Sequence, residues 1–122
     1  CNTLLHAAAF EEKISRVALI EPILSWKSVV MHQYYQPELI LGTVPGAMTT
    51  YDLPDLAACL APGKLWMIDV QDHRMEKASR NDIERSYGFV REVYKLRKAQ
   101  ENFVVRSWDR FQSFSEVLEG WL

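Results

Sequence analysis

The stretch "WMIDVQDHRMEK" (Trp66 to Lys77) places four chemically capable side chains close together: Asp69, Asp72, His73 and Glu76. A carboxylate beside an imidazole is the pair that general-base catalysis uses, because the carboxylate fixes the ring's tautomer and stabilises its cation. Adjacent residues of an extended segment point to opposite sides, so a direct Asp72–His73 bond needs a special loop conformation. The same groups could instead hold a cation or form a solvated loop. No metal site is predicted, since H-E-x-x-H, paired C-x-x-C and the EF-hand pattern with its central glycine are all missing.

The other histidines offer less. His6 falls in an Ala-rich helical stretch and reads as a helix residue. His32, in "VVMHQYY", has no carboxylate near it in sequence to orient it. Cys1 and Cys59 are too few for a disulfide framework, and Cys59, within the apolar "LPDLAACLAP", reads as a small buried hydrophobe.

The elements that must position these groups alternate. "NTLLHAAAF" favours helix. "RVALIEP" (Arg16 to Pro22) and "KLWMIDV" (Lys64 to Val70) are continuous apolar runs of the kind buried on both sheet faces, and "FVVRSW" (Phe103 to Trp108) is a third strand. "LPDLAACLA" is a short helix with Pro54 in its first turn, ended by Pro62 and Gly63. Asn81 to Arg97 repeats apolar positions at three- and four-residue steps behind Ser79 and Asp82, the pattern of an amphipathic helix. A last helix, capped by Ser113 and Glu116, is predicted to align Phe114, Val117, Leu118 and Trp121 on one face. Each pair of strands is far enough apart for a crossover, so the fold class is α/β, with three parallel strands and flanking helices over 1–122 as a single domain.

Composition bounds the function. The 122 residues are 48% hydrophobic and 25% charged, the content of one globular domain with a core. A formal net charge of −2 supplies no electrostatic drive toward nucleic acid or an anionic membrane, and no apolar run approaches the roughly 20 residues of a membrane span. Three parallel strands make a poor complete sheet, because the first strand's outer edge is left unpaired. A missing N-terminal half, or another chain along that edge, is therefore the expected partner.

Several segments carry a family likeness. "CNTLLHAAAF", "ALIEPILSWKSVV", "VPGAMTTYDLPDLAACLAPGKLWMIDVQD", the helix ending in "FVREVYK" and the closing "EVLEGWL" together resemble the C-terminal half of an α/β-hydrolase. More narrowly, the chain is similar to bacterial carbohydrate esterases of the acetyl xylan esterase kind. "VPGAMTTYDLPDLAACLAP" (Val44 to Pro62) is the most specific piece.

The resemblance implies ester hydrolysis by a serine, an acid and a histidine in that chain order, with no cofactor. It puts the nucleophile a few residues upstream of Cys1. Asp72 matches the acid position, with Asp69 as competitor. The histidine belongs after the last strand, where "SWDRFQSF" carries Gln112, and a glutamine cannot take the proton. His73 is the substitute base that remains. Trp26 and Tyr51 would stack on the sugar of a carbohydrate ester substrate, unless they are simply core; Trp66, Trp108 and Trp121 read as core. A degenerate, non-catalytic module that binds carbohydrate or protein is the competing expectation. Secretion or a periplasmic location follows from the resemblance alone.

Overall fold

The computed structural model describes residues 1–121, and the chain's elements form a three-stranded parallel sheet with helices around it. Helix α1 (Asn2–Phe10) leads to β1 (Arg16–Ile20), α2 (Trp26–Val30), α3 (Leu53–Cys59), β2 (Lys64–Ile68), α4 (Arg80–Leu96), β3 (Phe103–Arg106) and α5 (Phe114–Val117). Short 3-10 turns occupy Pro37–Gly42, Ala47–Thr49 and Gln100–Asn102. The strand order is β1-β2-β3, with Val17 opposite Leu65 and Leu65 opposite Phe103.

The period-two alternation of a strand divides the sheet into two faces. Val17, Leu19, Leu65, Met67 and Phe103 enter one core with Leu5 and Ala8 of α1, Leu53 and Leu56 of α3, and Tyr87, Val90 and Tyr94 of α4. Both crossovers step the same way across the sheet, so their right-handedness puts α3 and α4 on the same face. The opposite face carries Trp66, whose ring meets Trp121 edge-on at 5.6 Å and the Arg106 guanidinium at 4.3 Å. Leu65, Met67 and Ile68 of the central strand are completely buried, and each such side chain stabilises the fold by about 1.5–3 kcal/mol.

All three strands end two residues short of their expected ends. β1 stops at Ile20 and β2 at Ile68 because Glu21 (φ 52°) and Asp69 (φ 53°) take left-handed backbone conformations that break the extended path. β3 stops at Arg106, two residues short of the expected end, because Trp108 N–H turns to the Asp69 carboxylate at 2.8 Å instead of continuing the ladder. Helix α5 spans only Phe114–Val117, and Gly120 (φ 85°) then turns the chain so that Trp121 reaches Trp66. Cys59 is exposed, contrary to its expected burial, and both thiols are free.

Asp52 joins two helix starts. Its Oδ1 accepts from Trp26 N and Leu53 N, both at 2.7 Å, and its Oδ2 accepts from Lys27 N at 3.0 Å. One carboxylate thereby satisfies the first amides of α2 and α3, while Asp55 returns a bond to Asp52 N to complete a capping box. Tyr87, buried in α4, donates its hydroxyl to the Leu24 carbonyl at 2.9 Å; burial, with the Asp52 charge adding to it, pushes its ionisation far above the ordinary range. Tyr94 is equally buried, but its hydroxyl has no partner among the described residues.

Asp52→Ala should lower stability by about 2 kcal/mol in urea unfolding, since three amides lose their acceptor. The two tyrosines should separate in the same measurement. Tyr87→Phe is expected to cost about 1–2 kcal/mol by orphaning the Leu24 carbonyl, whereas Tyr94→Phe should be neutral or stabilising because it removes a polar atom that is already unsatisfied.

Candidate functional site

Parallel sheets gather their functional loops at the strand C-terminal ends, and here two loops meet there: Asp69–Lys77 after β2 and Ser107–Ser113 after β3. Asp69 ties them together. Its carboxylate, with the side chain 11% exposed, accepts from Trp108 N at 2.8 Å and pairs with Lys77 Nζ at 3.0 Å. Lys77 Nζ also donates to the Trp108 carbonyl at 2.8 Å. Trp108 Nε1 then donates to the Gln112 carbonyl at 3.0 Å, so Asp69, Lys77, Trp108 and Gln112 form one connected set.

Asp72 serves its own loop. Oδ1 accepts from Arg74 N at 2.7 Å and Glu76 N at 3.2 Å, the Asx-type turn by which aspartate folds a short loop back on itself. Arg74 Nη2 lies 3.9 Å from Oδ2 and pairs at 3.1 Å with Glu76. No bond joins Asp72 to His73 among the described residues; with Oδ1 spent on the loop, Oδ2 is the oxygen left to accept from a third group. The structure does not bring Asp72 into hydrogen bonding with Gln112, whose side-chain oxygen instead accepts weakly from Asp109 N at 3.4 Å.

His73 stacks on His32, with ring centres 3.6 Å apart and planes within 7°. The His32 Nδ1 contacts the Ser28 carbonyl and therefore carries its proton, while His73 makes no side-chain hydrogen bond among the described residues. Gln36 N donates to the His73 carbonyl at 3.0 Å, so the stack and this bond clip the segment after α2 to the loop after β2. A groove of about 510 Å³ runs beneath, walled by Lys27, Asp55, Arg85, Ser86 and Phe89, with Asp72 and the two histidines along its lining.

The remaining candidates form a separate cluster. Trp26 is 1% exposed, its Nε1 donating to the Gly42 carbonyl at 3.2 Å, so its indole is a core side chain rather than an open stacking surface. Tyr51 is half-buried against Trp26 at 5.7 Å and His6 at 5.8 Å. His6 Nδ1 lies 2.7 Å from the Asn2 carbonyl and Nε2 lies 3.1 Å from the Tyr51 hydroxyl. In the neutral ring Nδ1 therefore donates and Nε2 accepts, which leaves no nitrogen open to a reacting group. Tyr34 and Tyr35 are exposed, Trp66 is buried, and Trp108 and Trp121 are half-buried. Among the described residues no group of three His, Cys, Asp or Glu side chains is arranged to hold a metal, and no helix is long and apolar enough to cross a membrane.

Three features lay outside the sequence reading. Asp52 had a local signal, because an aspartate three residues before Asp55 and two before Pro54 has the spacing of a helix start. Lys77 and the partnership of His32 with His73 had none, since each depends on a contact across separate loops. No family model matches the chain, and neither a curated protein nor a solved structure matches it.

Two alanine variants test which carboxylate joins the loops. Asp69→Ala should speed amide exchange at Trp108 by about tenfold or more, by releasing an acceptor in a charge-assisted contact. Asp72→Ala should affect Arg74 and Glu76 and leave Trp108 unchanged; equal acceleration at Trp108 in both variants would mean that Asp69 is not the tie.

Proposed function

We propose that this chain is the acid-bearing C-terminal portion of an α/β-hydrolase-type carboxylic ester hydrolase, acting on acetyl or related esters of carbohydrate. The observation that carries the reading is the meeting of two loops at the C-terminal edge of a parallel sheet. One follows β2 and holds Asp69 and Asp72; the next follows β3 and holds Gln112. That is the order in which such enzymes present acid and base.

In this reading Asp72 is the acid by its register after β2; both aspartates place their backbone bonds on Oδ1 and keep Oδ2, but Asp69 also carries Lys77 at 3.0 Å, whereas Arg74 lies 3.9 Å from Asp72. On the same reading the nucleophile and the oxyanion-stabilising amides come from a further segment or another chain joined along the outer edge of β1. A hydroxyl-bearing substrate suits the groove beside Asp72, where Lys27, Arg85 and Ser86 offer donors and Phe89 an apolar wall. Export to the cell exterior or periplasm accompanies the carbohydrate substrate in this proposal.

Gln112 favours a second reading, in which the protein is a non-catalytic hydrolase-like module that binds carbohydrate or protein. Its amide cannot relay a proton, and His73 stands stacked on His32 rather than bonded to Asp72. A G-x-S-x-G turn directly upstream of Cys1 in a parent polypeptide would favour catalysis, and its absence would favour the binding module.

The 122-residue chain should show no turnover of p-nitrophenyl acetate above the buffer rate, and Gln112→His alone should not create it, because a base without a nucleophile leaves the acyl transfer uncatalysed. Turnover by the unmodified chain that His73→Ala abolishes would show that this chain carries a working base and overturn the assignment.

A further inference from the structure

Residues 31–38 all expose their side chains, and Leu39 is the first to return to the core. Among the described residues, two contacts tie this stretch to a distant part of the chain: the His32–His73 stack, and the bond from Gln36 N to the His73 carbonyl at 3.0 Å. Both fall on one residue of the loop after β2. Met31 and His32 also line the groove together with Asp72 and His73, so this strap forms part of the groove's wall.

Charge decides when the strap holds. Imidazole is the side chain that changes charge between about pH 5 and 8. With ring centres 3.6 Å apart and planes within 7°, one cationic ring over a neutral one is tolerated, but two cations at that spacing repel. A carboxylate bonded to either ring would offset the second proton, and none is. Asp52 and Asp55 cap α3, Asp72 accepts from Arg74 N and Glu76 N, and Asp82 accepts from the Ser79 hydroxyl at 2.6 Å. Arg74 is paired with Glu76, while Lys27 on α2 and Arg85 on α4 line the same groove without an ion-pair partner among the described residues. Those two cations add to the repulsion.

We propose that the stacked His32–His73 pair is a pH-sensitive clip, closed near neutrality and released by acid, whose release frees the strap over residues 31–36 and opens the groove beside Asp72. The clip is independent of the ester-hydrolase reading, since it concerns the groove's wall and not the reaction. On the two rings the closed form holds at most one proton and the released form two, so falling pH favours release. A one-proton difference lowers the closed-to-released ratio by about tenfold per pH unit.

Amide exchange read by NMR on the whole chain between about pH 7.5 and 5 tests this, each rate being divided by that of an unstructured peptide at the same pH. Protection at Gln36 N–H should fall by about tenfold or more across that range, while the β2 amides keep theirs. His32→Phe and His73→Phe each retain a stacked ring without a second charge, so in both variants protection at Gln36 should become independent of pH. Constant protection in the unmodified chain would overturn the proposal, as would a fall that persists in either phenylalanine variant. A loss that extends to the β2 amides would mean unfolding of the sheet rather than release of a strap, and would overturn it too.

Discussion

Everything in this fold is arranged around β2, a strand with a neighbour on each side and protein on both faces. Leu65, Met67 and Ile68 have no access to water and Trp66 almost none, so the strand is stable only while both faces are covered. Because both crossovers are parallel and step in one direction, α3 and α4 supply the cover on one face, together with α1. The other face is closed by a much smaller device, the short α5 and the turn that carries Trp121 onto Trp66. Arg106 completes that closure: its guanidinium lies over the Trp66 ring and donates to the Val117 and Glu119 carbonyls at 3.3 and 3.4 Å.

Once the sheet is fixed, two aspartates hold the loops at its C-terminal edge by the same means. Asp52 serves the amides that open α2 and α3, and Asp69 serves Trp108 N with Lys77 as its counter-charge. In each case a carboxylate supplies acceptors to backbone donors that would otherwise be unsatisfied, and the bonds are strengthened by its charge. This use competes with catalysis. A carboxylate engaged in holding a loop has fewer lone pairs for an imidazole, and Asp69 and Asp72 each place their backbone bonds on Oδ1.

The legible parts of the molecule are those whose causes are local. The apolar runs of β1, β2 and β3, the helical repeat behind Ser79 and the reciprocal capping by Ser113 and Glu116 all depend on neighbours within a few residues, and each element occurs where its pattern lies. Strand ends were less legible, since Glu21 and Asp69 adopt left-handed conformations that no nearby glycine announces. Cys59 misled for a related reason. An apolar stretch of helix has two sides, and only the docking of α3 on α1 and α4 chooses which one meets water.

The sequence by itself determined the class of architecture: parallel strands joined by helical crossovers, with candidate acids after β2 and no histidine after β3. Periodicity, capping and residue identity are properties of short segments, so they survive without knowledge of the rest of the chain. Tertiary structure alone decided the partners of the site residues. It set His73 against His32 from another loop, gave Trp108 to Asp69 and took Trp26 into the core. Those pairings join residues that can lie tens of positions apart, and they form only where packing of the sheet and helices brings the loops within hydrogen-bonding distance.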